Sequence, residues 1–103
     1  MAESAPPFRV EHSRALLASV KELRQLAIDR GLSDDFDRAL SLVVDKLQTA
    51  PLDWGDPSYG LAHLRMVVYQ GLHAPLQVSY VVDADAKLVI IREVRALPGS
   101  KFA

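Results

Sequence analysis

The chain contains no cysteine, which excludes a disulfide framework, thiolate metal sites and a cysteine nucleophile. Long hydrophobic runs are also missing. No stretch approaches the roughly 20 apolar residues of a membrane span, and no basic segment followed by an apolar run opens the sequence. A membrane partner is therefore not expected, and the cytoplasm is the expected compartment. An excess of either charge is absent as well: 12 Lys and Arg stand against 13 Asp and Glu, a net charge of −1. Such a chain has no bulk attraction to phosphate backbones. Aromatic residues are few, three Tyr, three Phe and one Trp, so a base-stacking platform would need nearly every suitable ring. What remains is 103 residues, half of them hydrophobic. That length suits one domain burying roughly 60 to 70% of the surface its unfolded form exposes.

Residues 1–7 are small, polar or proline without hydrophobic period, and are expected to form a disordered leader. Residues 8–97 form the domain, and residues 98–103 read as a flexible tail. Phe8 and Val10 alternate with Arg9 and Glu11 in a short strand pattern. Ser13 then offers an N-cap hydroxyl for a helix reaching about Arg30. Along it Leu16, Val20, Leu23 and Ala27 recur at helical spacing, widened by Leu17 and Leu26. Gly31 closes this helix, since a residue without Cβ enters the left-handed region at no steric cost. Ser33 restarts a second helix as its cap, with Asp34 and Asp35 favoured by the positive end of the helix dipole and Asp37 on the solvated side. Its stripe is Phe36, Leu40, Val43 and Leu47, and Pro51 disfavours helical geometry at Ala50. Two linking residues, Gly31 and Leu32, make the helices an antiparallel hairpin.

Residues 51–60, with Trp54-Gly55-Asp56-Pro57 at their centre, read as a loop from which Trp54 tucks into a core edge. The hydrophobic period then changes to two. Residues 62–69, 76–82 and 88–95 read as three strands, joined by residues 70–75 and by the acidic turn of residues 83–86. In the last strand the alternation places Leu88, Ile90, Arg92 and Val94 on one side and Val89, Ile91, Glu93 and Arg95 on the other. Each element has one apolar side to bury. The expected fold is α+β: an N-terminal strand, then an antiparallel helical hairpin packed on one face of a small, mostly antiparallel sheet, in the order β-α-α-β-β-β.

That order and the closing segment Gln77-Val78-Ser79-Tyr80-Val81-Val82-Asp83, acidic turn, Lys87-Leu88-Val89-Ile90-Ile91-Arg92-Glu93-Val94 resemble the last hairpin of the RelE/ParE superfamily of toxin–antitoxin toxins. The resemblance spans about residues 8–97. It implies a helical hairpin on an antiparallel sheet and neutralisation by an antitoxin polypeptide that wraps around the toxin. RelE-type members cut messenger RNA on the ribosome and ParE-type members poison gyrase, so the ribosome with its message, or gyrase, is the implied target. RelE-type cleavage uses basic side chains on the sheet to stabilise the charge that builds on the scissile phosphate. Here the arginine the family often carries early in the third strand is replaced by Gln77. Second-strand basic positions are represented by Arg65 and those after the last strand by Arg95, and no Tyr follows Leu97.

Candidate catalytic residues are therefore His63, Arg65 and Arg95, with His63 as acid or base because an unperturbed imidazole titrates near about 6.5. Arg92, Gln77 and Tyr69 are the candidate binding residues. The competing reading makes all of these ordinary residues of a sheet, with the arginines pairing loosely with Glu93 and with Tyr69 and Tyr80 in the packing. His12 and His73 lack the spacing of a metal site, and neither a metal nor a cofactor is expected. The expected function is a toxin-fold protein of a toxin–antitoxin type system that has lost much of its catalytic charge and acts through protein binding. Two alternatives stand beside it. One is an active ribosome-dependent endoribonuclease with a relocated basic site. The other is a small structural or homodimeric interaction module, unrelated to toxins, that recruits a second chain at a sheet edge.

Overall fold

A computed structural model describes residues 7–61, 66–73 and 75–97, with the side chains of residues 58–61 outside the description. Within these residues the chain folds as β1 (Arg9–His12), α1 (Arg14–Asp29), α2 (Ser33–Thr49), α3 (Pro51–Trp54), β2 (Asp56–Leu61), β3 (Met66–His73), β4 (Leu76–Asp83) and β5 (Leu88–Ala96). The strands form one mixed sheet in the order β1-β5-β4-β3-β2. β1 runs parallel to β5 and every other neighbouring pair is antiparallel.

The two helices begin and end largely where local chemistry dictates. Ser13 caps α1, its hydroxyl accepting from the Leu16 amide at 3.1 Å. Gly31, at φ +72°, ends it in the left-handed region. The amide of Leu32 then donates to the Ala27 carbonyl at 2.7 Å and that of Gly31 to Ile28 at 3.0 Å, the paired bonds that satisfy the last carbonyls of a helix turned by such a glycine. This tight junction also corrects the expected cap of α2. Leu32, committed to the closing turn of α1, is the N-cap, and it makes no side-chain capping bond; Ser33 is already inside the helix. Asp34 and Asp35 do occupy the first turn. Asp37 is half-exposed but paired, its two carboxylate oxygens each accepting from the Arg24 guanidinium at 3.0 Å. The fork fastens α2 to α1 from outside the core.

One face of the sheet receives the helices. Phe8, Leu16, Ala27, Phe36, Ala39, Val43 and Leu47 form a single cluster with Tyr69, Leu76, Val78, Tyr80, Val82, Val89, Ile91 and Val94. Burying a large side chain of this kind contributes roughly 1.5 to 3 kcal/mol. The stripe of α2 is narrower than its spacing implied, because Leu40 is half-buried while Ala39 joins the core. Leu17 remains 43% exposed.

Three departures from the sequence reading concern the sheet. The expected loop at residues 51–60 is a single helical turn followed by an edge strand, for Pro51 is pre-set for a first helical position. β3 continues to His73 through the expected link, because Gly71 leaves room for the Trp54 ring lying over it, where a Cβ would stand 2.5 Å from the indole. β5 carries a bulge. Ser79 pairs with Glu93 and Tyr80 with Ile91, leaving Arg92 without an opposite residue. The extra residue shifts the alternation, so Ile91 and Val94, three apart, are both buried in the helix-side core. The expected grouping of Val94 with Leu88 and Ile90 is overturned by that shift.

Candidate functional site

The β5 bulge lies close to where α1 begins, because β1 stops opposite Ile91 and the chain turns into the helix at Ser13. Between the two runs a groove of about 470 Å³, lined by Ser13, Ala15, Leu16 and Ser19 of the α1 start, Gln70 of β3, Ser79 of β4, and Arg92 and Glu93 at the bulge. Its size falls in the range of small-molecule sites, but its walls are mostly hydrogen-bonding groups rather than apolar ones.

Pairing across the sheet sets the polar row at its floor. Gln70 stands opposite Ser79, and Ser79 opposite Glu93, so three polar residues from three strands share one level. The Gln70 amide donates to the Ser79 hydroxyl at 3.2 Å. Ser79 is the one buried polar residue of the described chain. On the helix side the Ser13 hydroxyl is used by the Leu16 amide and that of Ser19 donates to the Ala15 carbonyl at 3.2 Å. Among the described residues the groove wall thus carries one guanidinium and one carboxylate, and their formal charges cancel.

The residues expected to act together are only partly brought together. His63 and Arg65 lie outside the described residues. Arg92 is exposed and lines the groove. Arg95 sits three residues on, its Nε 3.7 Å from a Glu93 carboxylate oxygen, with both side chains more than half exposed. Gln77 is half-buried opposite Arg95 and Leu72, beside the groove row and not in its wall. Tyr69 is 8% exposed, stacked on Tyr80 with ring centroids 5.3 Å apart, so its ring belongs to the core and presents no face to a ligand. His12 and His73 end different strands, β1 and β3. Among the described residues no group of three or more His, Asp or Glu is placed to hold a metal ion.

Sequence reasoning passed over Ser13, Ser19, Gln70 and Ser79 as groove residues. Ser13 was visible as a cap. The others became neighbours only through strand register and the bulge, neither of which leaves a motif in the sequence.

A second polar cluster is buried and fully used. The Tyr80 hydroxyl donates to the Pro51 carbonyl at 2.6 Å and accepts from the Gly55 amide at 3.0 Å. Its ring lies between Trp54, 5.6 Å away, and Tyr69, both nearly parallel to it. Burial pushes the Tyr80 phenol up to about 12, against the opposing pull of the Gly55 amide. At neutral pH it is a donor as well as an acceptor.

No protein-family model matches the sequence, and no curated protein does. Among solved structures the fold is similar to a chain in the crystal structure of the toxin–antitoxin complex RelBE2 from Mycobacterium tuberculosis. The superposition has a TM-score of 0.61 and covers 92% of this chain and 97% of that one, at 17% sequence identity. The chain therefore shares the fold of that chain, in keeping with the expected order of its elements.

Proposed function

We propose that this chain is the toxin-fold member of a toxin–antitoxin type pair, acting by binding a partner polypeptide and not by cutting RNA. The observation that carries the reading is a RelE-like fold whose groove has a charge-neutral described wall. Strand cleavage accumulates negative charge on the scissile phosphate and is accelerated by donors and cations aimed at it. Here the field of Arg92 is offset by Glu93, which also stands beside Arg95. Three hydroxyls, an amide and an ion of each sign suit the mixed donors and acceptors of a polypeptide, and the partner of that kind is an antitoxin segment.

Induced expression in bacteria, with growth followed beside primer-extension mapping of messenger RNA, tests the reading. Intact messages at good soluble expression are expected, whether or not growth slows. Discrete cleavages that vanish in His63→Ala, Arg65→Ala or Arg95→Ala would establish the endoribonuclease with a relocated basic site instead.

A further inference from the structure

The four residues of α3 hold an irregularity that ordinary core packing does not require. In a helix the amide of residue i+4 donates to the carbonyl of residue i. The Trp54 amide does this, reaching the Ala50 carbonyl at 3.0 Å. The next bond of the ladder would run from the Gly55 amide to the Pro51 carbonyl. Both groups are instead bonded to one oxygen, the Tyr80 hydroxyl, which accepts from the first and donates to the second. A side-chain hydroxyl from β4 has thus been inserted into the helical ladder at the point where the helix stops. Insertion of this kind is a recognised cause of helix bending and termination.

Two neighbouring features match the insertion. Gly55 has an extended backbone, φ −93° and ψ 167°, that any residue adopts. Its lack of a side chain is needed for space, since a Cβ there would lie 2.6 Å from the Tyr80 hydroxyl. The second is the bulge, which falls between Ser79 and Tyr80 on the β4 side, and bulges re-aim the side chains next to them. Immediately after Gly55 the chain enters β2, whose first residues Asp56 and Pro57 pair with Gln70 and Tyr69. β2 is an edge strand with β3 as its one neighbour.

We propose that the Tyr80 hydroxyl is a wedge that holds the last turn of α3 open and thereby sets the direction in which the chain enters β2. With the hydroxyl in place the ladder is open and Asp56 lies opposite Gln70. In a chain lacking the hydroxyl, the Gly55 amide would bond the Pro51 carbonyl directly, the helix would gain a residue, and the start of β2 would leave its register on β3.

Amide hydrogen exchange of the full chain and of Tyr80→Phe, resolved by residue, tests this. The phenylalanine variant keeps the ring stack and removes only the hydroxyl. Exchange at Asp56 and Gln70 is expected to rise at least about tenfold relative to the β4–β5 core amides, while Gly55 stays protected through its new acceptor. Trp54→Phe, which trims the stack but leaves the hydroxyl, is expected to leave the ratio of Asp56 and Gln70 exchange to core exchange unchanged. A parallel rise at all amides in Tyr80→Phe, or an unprotected Gly55 with β2 exchange unaltered, would overturn the proposal. Should Tyr80→Phe not fold, the wild-type protein still decides. A slowly exchanging Tyr80 hydroxyl proton with a cross-peak to the Gly55 amide is expected, and its absence under conditions where the amide is resolved would overturn the wedge.

Discussion

Consecutive residues of β4, both buried, have different surroundings on either side of one irregularity of register. Tyr80 is fully buried, with its hydroxyl bonded to two backbone groups and its ring between two others. Ser79 stands on the floor of an open groove beside an exposed Arg92 and Glu93. One bulge serves both, since the residue it expels from pairing is Arg92 and the residue beside it is Tyr80. The comparison separates two uses of polar chemistry in a small sheet. Polar groups satisfied internally fix geometry, whereas polar groups left at an open surface are available to a partner.

The contrast breaks first at the level of stability. Tyr80→Ala removes a large, fully buried ring from the core, so urea unfolding is expected to show a loss of about 3 to 5 kcal/mol. Arg92→Ala, at the open site, is expected to change stability by less than about 0.5 kcal/mol. Equal losses would mean that the groove is part of the structural core. Next in size is Gly71→Ala. Its methyl meets the Trp54 ring at 2.5 Å, so an overpacking cost of about 1 to 3 kcal/mol is expected together with a red shift of the single tryptophan's emission.

The third effect depends on pH. The Tyr80 phenol is raised from 10.0 to about 12 in the folded chain. Its contribution is thus fully present below pH 10, where both states are protonated, and declines as the unfolded state ionises between about 10 and 12. Denaturation midpoints measured across that window should fall less steeply in Tyr80→Phe than in the wild type. The smallest effect belongs to the outer helix pair. The Arg24 guanidinium, by hydrogen bonds first and charge second, holds the half-exposed Asp37 carboxyl below its ordinary value. A lowered carboxylate contributes above its unfolded pKa and loses that contribution as pH falls through the folded one. The expected acid-side change in Arg24→Gln is slight and vanishes in high salt.

The layer architecture was legible because it rests on local signals. The helical stripes from Leu16 to Ala27 and from Phe36 to Leu47, the glycine stop at Gly31 and the period-two runs are each read over a few neighbouring residues, and such elements can share a core in few ways. β2 was hidden because Pro57 and Gly55 carry loop signals that an edge strand tolerates. The bulge was hidden for a different reason: strict alternation along residues 88–95 is satisfied by either phase, and only the packing of Ile91 and Val94 against the helices selects the one observed. The groove inherits that difficulty. Arg92 and Arg95 could be picked out by charge, but Gln70, Ser79 and Ser19 have no common spacing in the chain and meet only through strand register.

The most direct test of the central claim uses purified translating ribosomes programmed with a defined message and this 103-residue chain in about tenfold excess. Binding without RNA chemistry predicts that the message remains intact in the presence of wild-type protein, as it does with buffer. Discrete cuts within codons, lost on Arg92→Ala or Arg95→Ala, would contradict it and make the open groove a catalytic site.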